Sequence, residues 1–296
     1  MFRKTMLLIF NPKAGTKKFS TSLFDVINKF TAAGFLVTAY PTQAPGDVNR
    51  VILELAENYD YVVCSGGDGT IGEAIDALLS FEKRPFLGII PSGTVNDFAM
   101  SLGIPKNILE AADIIVSGTP RPIDIGQFGD KHFTYVSAFG LFTDVSYATP
   151  QSRKNKLGNI AYLLEGAKRL GAIQPYHCTF TIDDEEISGD FVLGIVANSQ
   201  SVGGMKLPED IGAQMNDGMF EVVLLRMPKN IITLNKIINS LLNQETISDS
   251  MIVRKAHKVT VTSAEPIAWT RDGEYGGECC TVVIENKCHA IEILNQ

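Results

Sequence analysis

Over its first 120 or so residues, the chain alternates short apolar runs with stretches of helical periodicity. Apolar runs of strand length occur at residues 5–10, 35–40, 61–64 and 86–90, and helical patterns separate them. Strands and helices that alternate in this way form a parallel sheet with helices on its faces. The pattern therefore predicts an α/β domain over residues 1–122.

The rest of the chain has a different pattern, in which most apolar runs follow one another without a helix between them. Helical patterns occur only at residues 159–170 and 230–242. Strand-like runs occur at residues 123–128, 134–139, 177–182, 191–197, 220–225, 258–262 and 281–284. Because consecutive strands form antiparallel sheets, we predict a mainly antiparallel β-sandwich domain over residues 123–296, whose last residues can return to the first domain.

Charge and cysteine content exclude several classes of protein. With 33 acidic and 26 basic residues, the net charge is −7, and such a chain lacks the positive surface that binds nucleic acid. Five cysteines without a C-x-x-C spacing indicate reduced thiols and a cytoplasmic protein. The sequence specifies no oligomeric state.

Contact with a membrane is predicted to be transient and peripheral, because no apolar run reaches the roughly 18 residues of a transmembrane helix. One basic cluster could touch anionic lipid headgroups, although a solvated surface is the simpler explanation. The cluster consists of Arg153, Lys154, Lys156, Lys168 and Arg169.

A glycine-rich loop follows the third predicted strand. Its residues are Gly66, Gly67, Asp68, Gly69 and Thr70, and Ile71 and Gly72 continue into a helical pattern. Glycines let backbone N–H groups approach a ligand at a helix N-terminus, which forms an anion site. The loop does not fit a dinucleotide-binding motif, which follows the first strand and is followed about 20 positions later by an acidic residue. It does not fit a Walker motif either, because Glu73 stands where that motif has lysine.

Asp68 is unusual in such a loop, because a bare carboxylate repels a polyphosphate. A Mg²⁺ ion between the two groups would remove the repulsion. Asp68 therefore indicates a nucleotide bound with Mg²⁺, although glycine and aspartate are also typical of an ordinary turn.

Two further loops end neighbouring strands of the predicted sheet, and the carboxyl ends of such strands face one crevice. The loop after the strand at 86–90 contains Thr94, Asn96 and Asp97. Thr94 can donate its hydroxyl group to a phosphate, and Asn96 and Asp97 can hydrogen-bond a sugar or a metal-bound water. Thr94 or Asn96 can instead cap the next helix. The loop after the first strand contains Asn11, Pro12, Lys13, Ala14 and Gly15. Together the three loops predict a polyphosphate nucleotide, most simply ATP.

These loops, in this order and spacing, resemble those of the diacylglycerol kinase catalytic family, specifically its soluble bacterial lipid kinases. In the second domain the resemblance covers Asp217-Gly218 and the segment at 272–277. The glycine-rich loop also recurs in NAD kinases, and the segment at 94–97 favours the lipid kinases.

The resemblance implies an ATP site between the α/β and β-sandwich domains, with Asp272 as the catalytic base. By itself, Asp272-Gly273 between two strands is more typical of a hairpin turn. The implied nucleotide contacts are Asn11 to Gly15, Thr42, Gly66 to Gly72, Thr94 and Glu274. Relatives usually have asparagine at the position of Gly72.

The resemblance also implies a Mg²⁺ site formed by Gln214, Asp217 and the carbonyl of Met219. Gln214 is neutral, where a charged residue would hold a cation better.

Three functions are compatible with these observations. The first is an ATP- and Mg²⁺-dependent kinase of diacylglycerol or a related lipid at the membrane surface. The second is a kinase of a soluble acceptor such as NAD, and the third is a nucleotide-binding regulator without turnover.

Overall fold

The computed structural model describes residues 4–12, 18–140, 174–199, 201–202, 205–206, 214–230, 233 and 251–296. The chain forms two compact units, one of residues 1–123 with 289–296 and one of residues 124–288. Several predicted features lie outside the described residues: the helix at 159–170, the basic cluster, and all of the helix at 230–242 except residues 230 and 233.

The first unit alternates strands and helices along the chain. Its elements are β1 (Lys4–Phe10), α1 (Lys18–Ala32), β2 (Phe35–Pro41), α2 (Asp47–Leu55), a 3₁₀ turn (Ala56–Asn58), β3 (Tyr61–Gly66), α3 (Asp68–Leu78), β4 (Phe86–Pro91), α4 (Asp97–Ser101), α5 (Ile108–Ser117) and the start of β5 (Thr119–Phe128).

The strands β1 to β4 lie in the order β2-β1-β3-β4, and each neighbouring pair is parallel. Phe10 of β1 pairs with both Pro41 of β2 and Ser65 of β3, and Gly66 pairs with Pro91 of β4. The carboxyl ends of the four strands therefore stop at nearly the same level. The loops that follow them emerge along one edge of the sheet.

The interior of the first unit is formed by strands that are buried on both faces, as in parallel sheets covered by helices. Residues 6–9 of β1 and 62–64 of β3 have no exposed surface. The last residues of the chain add to the same sheet: Ile293 pairs in parallel with Leu87, and the Asn295 side chain donates to the Leu102 carbonyl over 2.7 Å.

The second unit is built from strands. They are the end of β5, β6 (Lys131–Phe133), β7 (Val136–Gly140), β8 (Tyr176–Ile182), β9 (Glu185–Ala197), β10 (Ser201–Val202), β11 (Met205–Lys206), β12 (Phe220–Arg226), β13 (Met251–Ala256), β14 (Lys258–Arg271) and β15 (Glu274–Asn295), whose last residues belong to the first unit.

The strand pairs described in this unit are antiparallel, as predicted. Both β7 and β8 lie between the long strands β9 and β14, with β8 along their first halves and β7 along their last. The register of β14 shifts between Thr262 and Ile267, where the strand changes partner from β8 to β7. Such an irregularity lets one strand bend from one layer to another.

An aromatic cluster fills the interior of the second unit. The Trp269 ring lies 4.9 Å from the Phe139 ring and 5.3 Å from the Phe128 ring, measured between centroids. Trp269 and Phe139 are almost fully buried.

Among the described residues, no helix is long and apolar enough to span a bilayer.

Replacing Phe139 with alanine is expected to lower the free energy of unfolding of the second unit by about 3–5 kcal/mol, because it leaves a cavity against Trp269. Urea unfolding followed by the fluorescence of Trp269, the chain's single tryptophan, measures this. Val283→Ala, at a side chain that is 40% exposed, is the control and is expected to cost less than about 1 kcal/mol. Equal midpoints for the two variants would contradict the prediction.

Candidate active site

The loops after β3 and β4 pack backbone against backbone. A Cβ atom on Gly93 would lie 2.4 Å from the Cα of Gly67, which is closer than such atoms approach in proteins. The N–H groups of Ser92 and Gly93 both donate to the Gly66 carbonyl, over 2.9 and 3.2 Å. The two loops therefore lie next to each other, as predicted, and glycine at position 93 is required for this contact.

The side chain of Asp68 joins the two loops. Its Oδ1 accepts a hydrogen bond of 3.0 Å from the N–H group of Phe98, in the first turn of α4. The carboxylate therefore satisfies an N–H group that the helix itself leaves without a partner. Within the described part of the chain, Oδ2 accepts no hydrogen bond, so this oxygen has capacity for a water molecule or a cation.

The helix α3 begins at Asp68, a few residues before the predicted start near Ile71. Its first hydrogen bond is donated by the Ile71 N–H group to the Gly67 carbonyl, over 3.1 Å. The N–H groups of Asp68, Gly69 and Thr70 therefore precede the helical hydrogen-bond ladder. N–H groups at such a position form an anion site.

Asn96 shapes its own loop. It has a left-handed backbone, with φ 60°, and its side chain is buried. The amide Oδ1 accepts from the Gly93 N–H group over 2.9 Å, and Nδ2 donates to the Gly93 carbonyl over 3.1 Å. Thr94, in the same loop, is exposed, and Asp97 is half-buried at the start of α4.

The other two loops of this edge are tied to the sheet by backbone hydrogen bonds. The Asn11 N–H group donates to the Ser65 carbonyl over 3.2 Å, and the Thr42 N–H group donates to the Phe10 carbonyl over 2.9 Å. Pro12 follows Asn11, and its carbonyl accepts from the Ser20 hydroxyl. Lys13, Ala14 and Gly15 lie outside the described residues. The described loops of all four strands therefore lie on one edge.

In the second unit, Asp272 and Gly273 form the two-residue turn between β14 and β15. Both have positive φ, 50° and 80°, and Arg271 pairs with Glu274 on either side of them. The Asp-Gly pair is therefore a hairpin turn, as its sequence indicates. Glu274 is exposed at the start of β15.

The Asp272 carboxylate accepts four hydrogen bonds from residues 134–136, which run from the end of β6 into the start of β7. Oδ2 accepts from the N–H group of Thr134 over 2.7 Å and from its hydroxyl over 2.9 Å. Oδ1 accepts from the N–H groups of Tyr135 and Val136 over 3.0 and 3.1 Å. Burial raises the pKa of Asp272 to about 6, and these four hydrogen bonds oppose the increase.

This hydrogen-bond set limits how Asp272 can accept a proton. An ionised carboxylate has about four lone-pair positions, and all four are engaged. Three of the donors are backbone N–H groups, whereas the Thr134 hydroxyl can rotate about one bond. Thr134 is therefore the donor that can release Asp272 without moving the backbone.

The residues implied as a second Mg²⁺ site are already engaged within the protein. Asp217 Oδ1 accepts from the Met219 N–H group over 3.1 Å, and Oδ2 lies 3.1 Å from the Lys255 ammonium nitrogen. The Met219 carbonyl accepts from the Asn286 side chain over 3.2 Å, and Gln214 is exposed. Because the single anionic ligand of this set is paired with a lysine, the residues do not fit a divalent cation.

A carboxylate that the motifs do not indicate lies beside this loop. Glu221 of β12 has no exposed surface, and burial raises its pKa to about 8, while the charge of Lys255 opposes the increase. Its Oε1 is 3.8 Å from the Lys255 ammonium nitrogen.

Comparison with known proteins decides the family. The model of the diacylglycerol kinase catalytic domain matches residues 5–128, and that of the YegS C-terminal NAD kinase beta sandwich-like domain matches residues 136–295. The chain belongs to the diacylglycerol kinase family.

Relatives and solved structures of this family match almost the whole chain. The diacylglycerol kinase of Bacillus subtilis is 37% identical over 93% of this chain and 91% of its own, and that of Staphylococcus saprophyticus is 34% identical over 93% and 90%. A solved structure from Bacillus anthracis has a TM-score of 0.85 at 27% identity, covering 99% of this chain and 95% of its own. A second, a diacylglycerol kinase of the same organism, has a TM-score of 0.77 at 24% identity, covering 100% and 98%.

Sequence motifs missed three residues that shape these sites: Thr134, Glu221 and Lys255. Thr134 carries no motif, and its role depends on a partner 138 positions away. Glu221 and Lys255 become neighbours only when β12 pairs with β13. A charged residue within the apolar run at 220–225 was the one available signal for Glu221.

Two glycine substitutions should separate the role of close packing from the presence of glycine itself. Gly93→Ala is expected to lower the stability of the first unit by about 1–3 kcal/mol, because its methyl group would overlap the Gly67 backbone. In the control, Gly72→Ala, the methyl group meets nothing within 4 Å inside α3, so a gain of up to about 1 kcal/mol is expected. Thermal unfolding by circular dichroism measures both, and equal melting temperatures would contradict the assignment.

Proposed function

We propose that this kinase transfers the γ-phosphoryl group of ATP, supplied as its Mg²⁺ complex, to a hydroxyl group of diacylglycerol or a related lipid. The observation that carries the proposal is the close contact between the loops after β3 and β4, which brings the second loop beside the first N–H groups of α3 and the Asp68 carboxylate. The similarity to diacylglycerol kinases supports the lipid acceptor. The reaction would take place at the cytoplasmic membrane surface during transient contact.

In this proposal, the first unit positions the phosphates. The N–H groups of Asp68, Gly69 and Thr70 bind phosphate oxygens, and Thr94 donates its hydroxyl group. Asp68 would help to hold the Mg²⁺ ion of the nucleotide, and that ion would supply positive charge to offset the charge of the phosphates. Phosphoryl transfer needs positioning and charge neutralisation more than covalent chemistry, so these groups meet its main requirements. Asn11, Thr42 and Glu274 are further proposed nucleotide contacts.

Asp272 is the proposed catalytic base. A carboxylate with a pKa of about 6 is mostly ionised at neutral pH and can still accept a proton, which suits this role. Its hydrogen bonds to Thr134, Tyr135 and Val136 hold it in one orientation. Rotation of the Thr134 hydroxyl frees the lone pair that receives the proton of the acceptor.

The direct test is phosphate transfer from labelled ATP to a panel of acceptors. We expect a labelled phospholipid when vesicles contain diacylglycerol, and no product when the same vesicles lack it. Gly93→Ala should reduce turnover strongly, whereas Gly72→Ala should retain it, because only the first substitution separates the phosphate loops. Nucleotide binding without product on any acceptor would indicate a regulator instead.

Substitution of Thr134 tests the role of Asp272 as catalytic base more directly than substitution of Asp272 itself. Thr134→Val removes one hydrogen bond to the ionised carboxylate, which raises the pKa of Asp272 by about 1 unit. A base must be deprotonated to act, so the acidic limb of the pH profile of kcat should move to higher pH by that amount. Steady-state assays from pH 5 to 9 measure this shift.

Thr134→Ser is the matched control, since it keeps the hydroxyl group and should leave the pH profile unchanged. If Thr134→Val loses activity without moving the profile, Asp272 has a structural role alone. Asp272→Asn is less informative, because its amide group would face N–H donors and weaken the fold.

A kinase of a soluble acceptor is the second candidate, and one observation favours it. The matching model of the second unit is described as NAD kinase-like. Lipid-free assays with NAD and labelled ATP separate the two functions: product formation without vesicles would support the soluble acceptor.

A further inference from the structure

We propose that the ammonium group of Lys255 is the resident cation of the loop at 214–219, in the position where the family resemblance implies a divalent metal ion. The nitrogen lies 3.1 Å from Asp217 Oδ2 and 3.8 Å from Glu221 Oε1. One positive charge thus serves two carboxylates.

Sheet register fixes the position of this charge. Lys255 of β13 and Glu221 of β12 are directly opposite each other in an antiparallel pair. The side chains of such a pair lie on the same face of the sheet, close enough to interact. Strand pairing therefore places Lys255 beside Glu221.

Glu221 can ionise at this buried place only beside a positive group. Its side chain has no exposed surface, and within the described part of the chain neither carboxylate oxygen has a hydrogen-bond partner. A buried, ionised carboxylate is strongly disfavoured unless a cation lies nearby. Lys255 supplies that cation.

The loop beside Lys255 is closed by protein hydrogen bonds. The Gly218 N–H group donates to Asp124 Oδ2 over 2.6 Å, and the Gly218 carbonyl is 2.6 Å from His257 Nδ1. Each oxygen of Asp217 and the carbonyl of Met219 also has a protein partner. A divalent ion would lie against the ammonium group and repel it, so it could bind only by displacing Lys255.

The test is thermal unfolding without nucleotide or lipid, followed by Trp269 fluorescence, so its outcome is separate from that of the kinase assays. The wild type should unfold at the same temperature in EDTA and in millimolar MgCl₂. Lys255→Met should unfold about 4–8 °C lower in EDTA, because two carboxylates lose their shared cation. Lys255→Arg keeps a cation and should regain most of this loss.

Metal dependence should appear only when the lysine is removed. Millimolar MgCl₂ should raise the melting temperature of Lys255→Met, and the double variant Lys255→Met with Asp217→Asn should lose this response. Lys258→Met, at an exposed lysine on the next strand, is the control for removal of a surface charge. Its melting temperature should stay close to that of the wild type.

Two results would overturn the proposal. One is a Lys255→Met variant that unfolds at the same temperature as Lys258→Met in EDTA. The other is a wild-type protein that MgCl₂ stabilises and an Asp217→Asn variant that it does not, since a metal would then bind with Lys255 still in place.

Discussion

The close approach of two backbone segments, at Gly67 and Gly93, is the constraint on which the proposed nucleotide site depends. Parallel pairing brings the ends of β3 and β4 to one level, and the missing side chains let the following loops touch. This contact places Asp68 within reach of the Phe98 N–H group and the start of α3 beside the loop of Thr94. A methyl group at position 93 would push the two loops apart and disturb both Asp68 and the start of α3. Several groups of the proposed nucleotide site therefore depend on this one glycine.

Three candidate carboxylates, those of Asp68, Asp272 and Asp217, are structural acceptors, and their remaining capacity for a ligand or proton differs. Asp68 uses one oxygen to cap α4 and keeps the other available. Asp272 uses both oxygens, but one of its four donors can rotate away. Asp217 is held by its own loop and by Lys255, so it can bind a metal only if an ion pair breaks. Asp68 is therefore the proposed ligand near Mg²⁺, and Asp272 is the proposed base. Asp217 belongs to a loop in which Lys255 supplies the positive charge.

The glycines near the proposed phosphate site are not equivalent. Gly93 has no room for a side chain, whereas Gly72 has open space around its Cα. A Cβ atom at position 72 would meet no atom of the described residues within 4 Å, so the methyl group of alanine has room there. Gly72 is therefore a permissive position in the first turns of α3, and the phosphate-binding geometry depends on the backbone.

The sequence by itself determined the order of strands and helices in the first unit, the antiparallel character of the second, the Asp-Gly turn and the family, because periodicity, turn chemistry and loop motifs are local. Tertiary structure decided what the side chains of those motifs do. Asn96 turned inward to Gly93, Asp272 gained four donors from residues far along the chain, and Lys255 reached Asp217 and Glu221 across paired strands. Hydrogen bonds and ion pairs depend on distances of a few ångströms between residues distant in sequence, and only the folded chain sets those distances.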